Sequence, residues 1–276
     1  LRQLNPARAI QAFREALNAF MALGEPGNIA IAWHKLGMSY SKARHFEAAE
    51  DAFQSSLRLA SHLGRRHYEA STLGELGTLY KEQNRHEEAV RFFRRAIEIH
   101  AEFGDMCNEG ISQHNAAACL VELNRLDEAR RELQCAIKNT RPFGHRAEPW
   151  KAFALLADLE QAAGDQAAVA AARAQARAAF LAFRHDRGEN RDIGGRLALL
   201  VAGALRSGDL AEADATLAEF SRQSNLPAFF PPMLTALTAI LHGSRDAALA
   251  EEPALRCTDA VELELLLEHI LSAPPP

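Results

Sequence analysis

Cut at intervals of forty residues, the chain falls into register with itself. Leu23-Gly24, Leu63-Gly64, Phe103-Gly104 and Phe143-Gly144 share one column. Ala9, Ala49, Ala89 and Ala129 share a second, with Val169 in the fifth slot. Phe13, Phe53, Phe93 and Leu133 form a third, and Ala16, Ser56, Ala96 and Ala136 a fourth. A fixed internal period of this length requires a repeat architecture, in which each unit buries its apolar face against its neighbours.

The spacing inside one unit specifies two helices. Trp33, Leu36 and Tyr40 lie at i, i+3 and i+7, one stripe of an α-helix, and Ala49, Phe53 and Ser56 form a facing stripe after a short turn. Small residues at Gly37 and Ala49 let the two backbones approach to roughly 8–10 Å. The next unit repeats the pattern with Leu73, Leu76, Gly77, Tyr80, Ala89, Phe93 and Ala96. A third keeps Ala117, Leu120, Ala129, Leu133 and Ala136, and a weaker fourth has Leu156, Ala157, Val169 and Ala176. Asn84-Arg85, Asn124-Arg125, Gly164-Asp165 and Gly208-Asp209 sit where the helices of a hairpin join, and Asn and Gly tolerate the left-handed conformation that ends a helix. The glycines at 24, 64, 104 and 144 then cap each second helix.

These residues resemble tetratricopeptide repeats. The family pattern of Trp, Leu-Gly, Tyr, Ala, Phe and Ala is met by Trp33, Leu36-Gly37, Tyr40, Ala49, Phe53 and Ser56, and again, with Leu73 for the Trp, in the following unit. The resemblance covers residues 1 to about 184 well and 185 to 250 loosely. It implies an all-α solenoid of antiparallel helical hairpins, a right-handed superhelix of five to six hairpins. The standard repeat is about 34 residues, so this is a longer variant. Similar long repeats occur in the sensor arms of large bacterial signalling proteins, beside nucleotide-switch ATPase or protease-like domains, and in eukaryotic scaffold and motor-cargo adaptors.

The expected organisation is a half-repeat at 1–24 and repeats at 28–64, 68–104, 108–144 and 147–184, followed by a divergent 185–276. The half-repeat would leave Ala9, Phe13, Ala16 and Phe20 partly uncovered, which, with the first residue being Leu, points to a piece of a longer polypeptide. His185 to Gly195 reads as an exposed loop. Residues 196–207 and 209–222 read as a fifth hairpin, 232–242 as a sixth first helix, and 245–251 as a short helix. The final capping helix is expected to start at Asp259, with Asp259 and Glu262 as a capping box, and Pro274–Pro276 as a frayed end.

Composition narrows the function classes. The chain is 48% hydrophobic and 24% charged, as in folded proteins. Its longest apolar run, Leu197 to Leu205, is about half of the roughly 18–20 residues a bilayer span needs. A net charge of −5 argues against nucleic-acid binding, which needs a concentrated basic face. Cys107, Cys119, Cys135 and Cys257 form no CxxC pair and suggest a reducing, cytoplasmic setting. Eleven histidines include no HExxH, so no metal is expected. No nucleotide-binding glycine motif occurs, so no cofactor is expected either. Cys135 is expected to be structural, on a helix whose Ala129, Leu133 and Ala136 face the core. Gly188 and Gly194-Gly195 beside arginines read as a solvated loop rather than an anion site. Arg91, Arg94, Arg95, Arg130 and Arg131, interleaved with acids, read as a solvated outer face.

The groove lined by first helices is the expected binding surface, and no catalytic residue is expected. Its lining is predicted as Ile31, His34, Met38 and Ser41 from one helix, and Ser71, Gly74, Glu75, Thr78 and Lys81 from the next. Ile111, His114, Asn115, Ala118 and Val121 follow, and then Lys151, Ala154 and Asp158. His34 and His114, at equivalent places, are expected to hydrogen-bond in the groove. Chaperone-binding members of the family grip a C-terminal carboxylate through Lys, Asn and Arg side chains. The matching places here are His34, Met38, Glu75, Ile111 and Asn115, which do not carry that clamp. The resemblance therefore implies a protein-interaction module for a peptide, a helix or a neighbouring domain, with neither membrane nor nucleic acid as partner. The alternative is the sensor arm of a larger bacterial effector whose catalytic domain lies elsewhere.

Overall fold

The computed structural model describes residues 6–272, and the expected frayed end at Pro274–Pro276 lies outside them. All regular structure among these residues is helical. The chain divides into two compact units, Leu1–Ala147 and Glu148–Pro276.

The first unit holds α1 (Pro6–Leu23) and three hairpins. These are α2 (Pro26–Lys42) with α3 (Phe46–His62), α4 (Arg66–Glu82) with α5 (His86–Glu102), and α6 (Met106–Glu122) with α7 (Leu126–Thr140). Helices α2 to α6 are each 17 residues long and start twenty residues apart. Each stops because one residue turns left-handed: φ is 60° at Arg44, 59° at Asn84, 56° at Asn124, and 63° to 66° at Gly24, Gly64 and Gly104. The residue after each reaches back to a carbonyl five positions earlier, as Arg65 N does to Ala60 O at 2.9 Å and Arg125 N to Leu120 O at 2.8 Å. That bond satisfies a carbonyl the helix end would otherwise leave unpaired. The fourth glycine differs. Helix α7 ends at Thr140, and Gly144 (φ 55°, ψ −137°) lies inside a 3₁₀ segment, Arg141–Ala147, so it is not a left-handed helix cap.

The columns of the repeat are the core. Ala49, Phe53 and Ser56 are wholly buried, as are Ala89, Ala96, Ala129 and Leu133. A methyl group added at Gly37 would stand 2.6 Å from the Phe53 ring, and one at Gly77 would stand 2.7 Å from Phe93. In the third hairpin the same two columns hold Ala117 and Leu133, both buried. The larger residue on the first helix is matched by a smaller one on the second, which conserves the volume of the contact. Ser56 Oγ donates to Ala30 O at 2.9 Å, which satisfies the hydroxyl that stands where the other units carry Ala. On α1 the equivalents Ala9, Phe13 and Ala16 are only half-buried.

The second unit holds α8 (Pro149–Ala163) with α9 (Gln166–His185), α10 (Ile193–Ser207) with α11 (Ala211–Ser221), α12 (Phe230–Leu241) and α13 (Cys257–Ser272). The hairpin α8–α9, whose columns continue the repeat, belongs by contact to this unit. The expected helix at 245–251 is a 3₁₀ turn, Ala247–Ala250. Leu263, Leu266 and Leu267 of α13 join a core with α10 and α12, while Val261 and Leu265 join Trp150 and Phe180.

Two expectations here need correction. Asp259 does not open a capping box, because α13 already begins at Cys257 and Asp259 is fully buried within it. Its carboxylate instead accepts two hydrogen bonds from Arg256, each 2.7 Å. The segment 185–195 is not simply a solvated loop either. Gly194 and Gly195 are buried, because a side chain at Gly194 would collide with Asp259 and one at Gly195 with Asn190. Asp192 caps α10 through Gly195 N at 2.9 Å and pairs with Arg256 at 3.0 Å.

Candidate interaction surface

In the first unit the first helices stand side by side, and polar side chains stitch them together. Ser41 Oγ on α2 donates to Glu82 on α4 at 3.4 Å, and Lys81 Nζ on α4 donates to Asn115 Oδ1 on α6 at 2.9 Å. The second helices are joined separately. Arg94 on α5 pairs with Glu128 on α7 at 2.7 Å, and Arg125 reaches both Glu128 at 2.8 Å and Glu87 at 3.0 Å. Those two guanidinium groups hold the Glu128 carboxyl down at about 2. Arg94, one of the arginines read as a solvated face, thus also links successive repeats.

The α2–α4–α6 face is mixed in character. Ile111 is 45% exposed, Ser71 is exposed, and Ile31, Met38, Gly74, Thr78, Ala118 and Val121 are half-buried. Thr78 Oγ1 and Ser71 Oγ turn back onto carbonyls of their own helix, Gly74 O and His67 O, both at 3.1 Å. Desolvation raises the Glu75 carboxyl, and the Lys35 and Lys42 charges pull against that rise. His114 is half-buried on α6.

His34 departs from its expected place. It is only 6% exposed and sits beneath this face, where Nδ1 lies 3.1 Å from Thr72 Oγ1. The Phe53 and Tyr68 rings flank it, with centroids at 5.7 and 5.2 Å. Burial first, and the charge of Lys35 second, push its imidazole down to about 4, so it is neutral at pH 7. It is a tie between α2 and α4. Hydrogen bonding was the role read for it, but the bond is made inside the protein.

Lys151, Ala154 and Asp158 belong to the second unit, where they line a cavity of about 1000 Å³. Lys151 is paired with Glu148. Burial raises the Asp158 carboxyl, opposed by Arg173. Sequence reasoning missed the walls that α13 and the preceding segment add to this cavity, since that stretch lies outside the repeat. Cys135 is exposed on α7 rather than facing the core, whereas Cys119 is buried and its thiol is pushed up to about 11. Among the described residues no three His, Cys, Asp or Glu side chains gather as metal ligands would, and no helix is long and apolar enough to cross a membrane.

The hairpin geometry has a counterpart in known proteins. Residues 28–102 and 68–141 match the tetratricopeptide repeat family. The stretch 28–141 is a tetratricopeptide repeat array. No curated protein matches the chain. Solved structures share its fold. BtubC (BKLC) from P. vanneervenii is 18% identical, with 88% of this chain and 94% of that one covered and a TM-score of 0.60. Aspartyl phosphate phosphatase F from Bacillus subtilis is 14% identical over 96% of this chain and 65% of its own, with a TM-score of 0.60. The nearly identical tetratricopeptide-like repeats of a putative kinesin light chain from Podosopora anserina give a TM-score of 0.56 at 16% identity, over 66% of this chain and 89% of that one. At these identities the likeness is one of fold.

Proposed function

We propose that the tetratricopeptide array of the first unit is a protein-binding module whose α2–α4–α6 face takes a helix or extended segment. The segment belongs either to a separate partner or to a neighbouring domain of the same polypeptide. The observation that carries this reading is the division of labour between the two helix layers. The repeat columns of the second helices are spent on the core, and ion pairs of Arg94 and Arg125 tie one second helix to the next. Between its Ser41–Glu82 and Lys81–Asn115 ties, the first-helix face presents exposed Ile111 and half-buried Met38 and Ala118 among Lys35, Glu75 and Ser71, an apolar strip edged by charge of both signs. Such a strip suits an amphipathic segment, whose apolar residues bury on it while its charges set the register.

The test uses a partner recovered from the native host and then purified. Ile111→Glu and Lys35→Glu should weaken its affinity tenfold or more with helicity unchanged. Arg91→Glu, on exposed α5 surface, should leave it unaltered. Undiminished affinity in both face variants would end the proposal.

A further inference from the structure

The cavity of about 1000 Å³ in the second unit is a separate matter from the first-unit surface. Its volume is at the upper end of the roughly 300–1,000 Å³ typical of small-molecule pockets. Trp150, Phe180 and Phe183 form one wall, with ring centroids 4.8 to 5.7 Å apart. Ala157 and Ala176, both buried, close the floor where α8 meets α9.

The charges around this apolar floor decide what it can hold. Among the described residues five cations line it, and four of them are paired with carboxylates. Lys151 is paired with Glu148, and Arg191 with Glu189 at 3.0 Å. Arg177 is paired with Glu264 at 2.9 Å, and Arg256 with both Asp192 and Asp259. Only Arg173 stands outside these pairs. On the acidic side Asp158, Glu251 and Glu252 also line the cavity and stand outside them, three carboxylates against one guanidinium. An anionic ligand would find a single guanidinium outside these pairs, Arg173, which already faces the Asp158 charge, and would meet the further charges of Glu251 and Glu252. A neutral ligand would leave those carboxylates partly desolvated without compensation.

We propose that this cavity binds an organic cation, with a hydrocarbon body against the Trp150–Phe183 wall and an ammonium or guanidinium group at the Asp158, Glu251 and Glu252 rim. Asp158 sits on α8 with Trp150, whereas Glu251 and Glu252 sit on the segment between the 3₁₀ turn and α13, so the acidic rim is drawn from two parts of the unit.

Calorimetry on the full chain with three matched probes tests this. 4-Phenylbutylamine should bind at least tenfold more tightly than 4-phenylbutanol, and 4-phenylbutyrate should bind more weakly than either. In the triple variant Asp158→Asn, Glu251→Gln, Glu252→Gln, the affinity for the amine should fall to that of the alcohol, with the alcohol's affinity unchanged. Acetyl-Phe-Arg-amide presents the same chemistry on a peptide. If it binds more tightly than the amine, the natural cation is carried by a polypeptide; the reverse order assigns it to a free small molecule. Equal binding of all three probes, preference for the carboxylate, binding of none, or an unchanged amine affinity in the triple variant would overturn the proposal.

Discussion

Gly77→Ala is a sharp probe of the packing that sets the distance between helices. The new methyl would stand 2.7 to 2.8 Å from three atoms of the Phe93 ring. Carbon atoms rest at about 3.5–4.0 Å, so ring or helix must yield by close to 1 Å. The ring is 1% exposed and held on all sides, so strain of about 1–3 kcal/mol follows. Against this, Ala is favoured over Gly inside a helix by about 0.8–1.0 kcal/mol. Gly74→Ala, one turn earlier on α4, isolates that second effect, since a methyl there meets nothing within 4 Å. The propensity gain cancels between the two variants. Gly77→Ala should therefore be less stable than Gly74→Ala by about 1–3 kcal/mol in urea denaturation followed by circular dichroism. Adding Phe93→Leu recreates the Ala117–Leu133 pair of the next hairpin, so it should cost less in the Gly77→Ala background than in the parent chain. Equal stabilities of the two alanine variants, or no coupling with Phe93→Leu, would refute the steric account.

Three other outcomes follow from the structure. Gly104→Val should lower stability by about 1–2 kcal/mol through backbone strain alone, because φ is 66° and a methyl there would touch nothing; thermal denaturation measures it. His34 titrates near 4 when folded and near 6.5 when unfolded, so the unfolded chain binds the extra proton between those values. Its neutral form supports the fold fully above pH 6.5, and that support is lost as pH falls toward 4. Urea midpoints across this window should therefore drop in the parent chain and change less in His34→Gln. A thiol-disulfide reagent should modify Cys135 first and Cys119 last, and Cys119 only on unfolding, with peptide mapping as the readout.

Much of the first unit is legible in the sequence because its signals are local and repeated. A turn residue every twenty positions and an aromatic facing a glycine recur often enough to be read by alignment of the chain with itself. Arg44 is the exception that hides, since at φ 60° it occupies the place where Asn84 and Asn124 announce a turn. The second unit is less legible because its specificity lies in single long-range pairs. Asp259 looks like a cap until Arg256 and the buried Gly194 show that it is a core anion. Likewise His34 reads as a groove residue because the repeat places it on a first helix, but helical phase does not reveal that Tyr68 and Thr72 of the next hairpin close over it. Lys151 and Asp158 read as groove lining, and the sequence carries no sign of the cavity they border. Its other wall comes from residues about a hundred positions away.

If a protein partner occupies the first-helix face, it must come within bond-forming reach of the side chains there. A photo-reactive phenylalanine analogue placed at Ser71, Met38 or Ile111, and separately at Arg91 or Arg131 on the second helices, tests that occupancy directly. Crosslinks to the purified partner are expected from the first three positions and none from the other two. Crosslinks confined to positions 91 and 131 would contradict it.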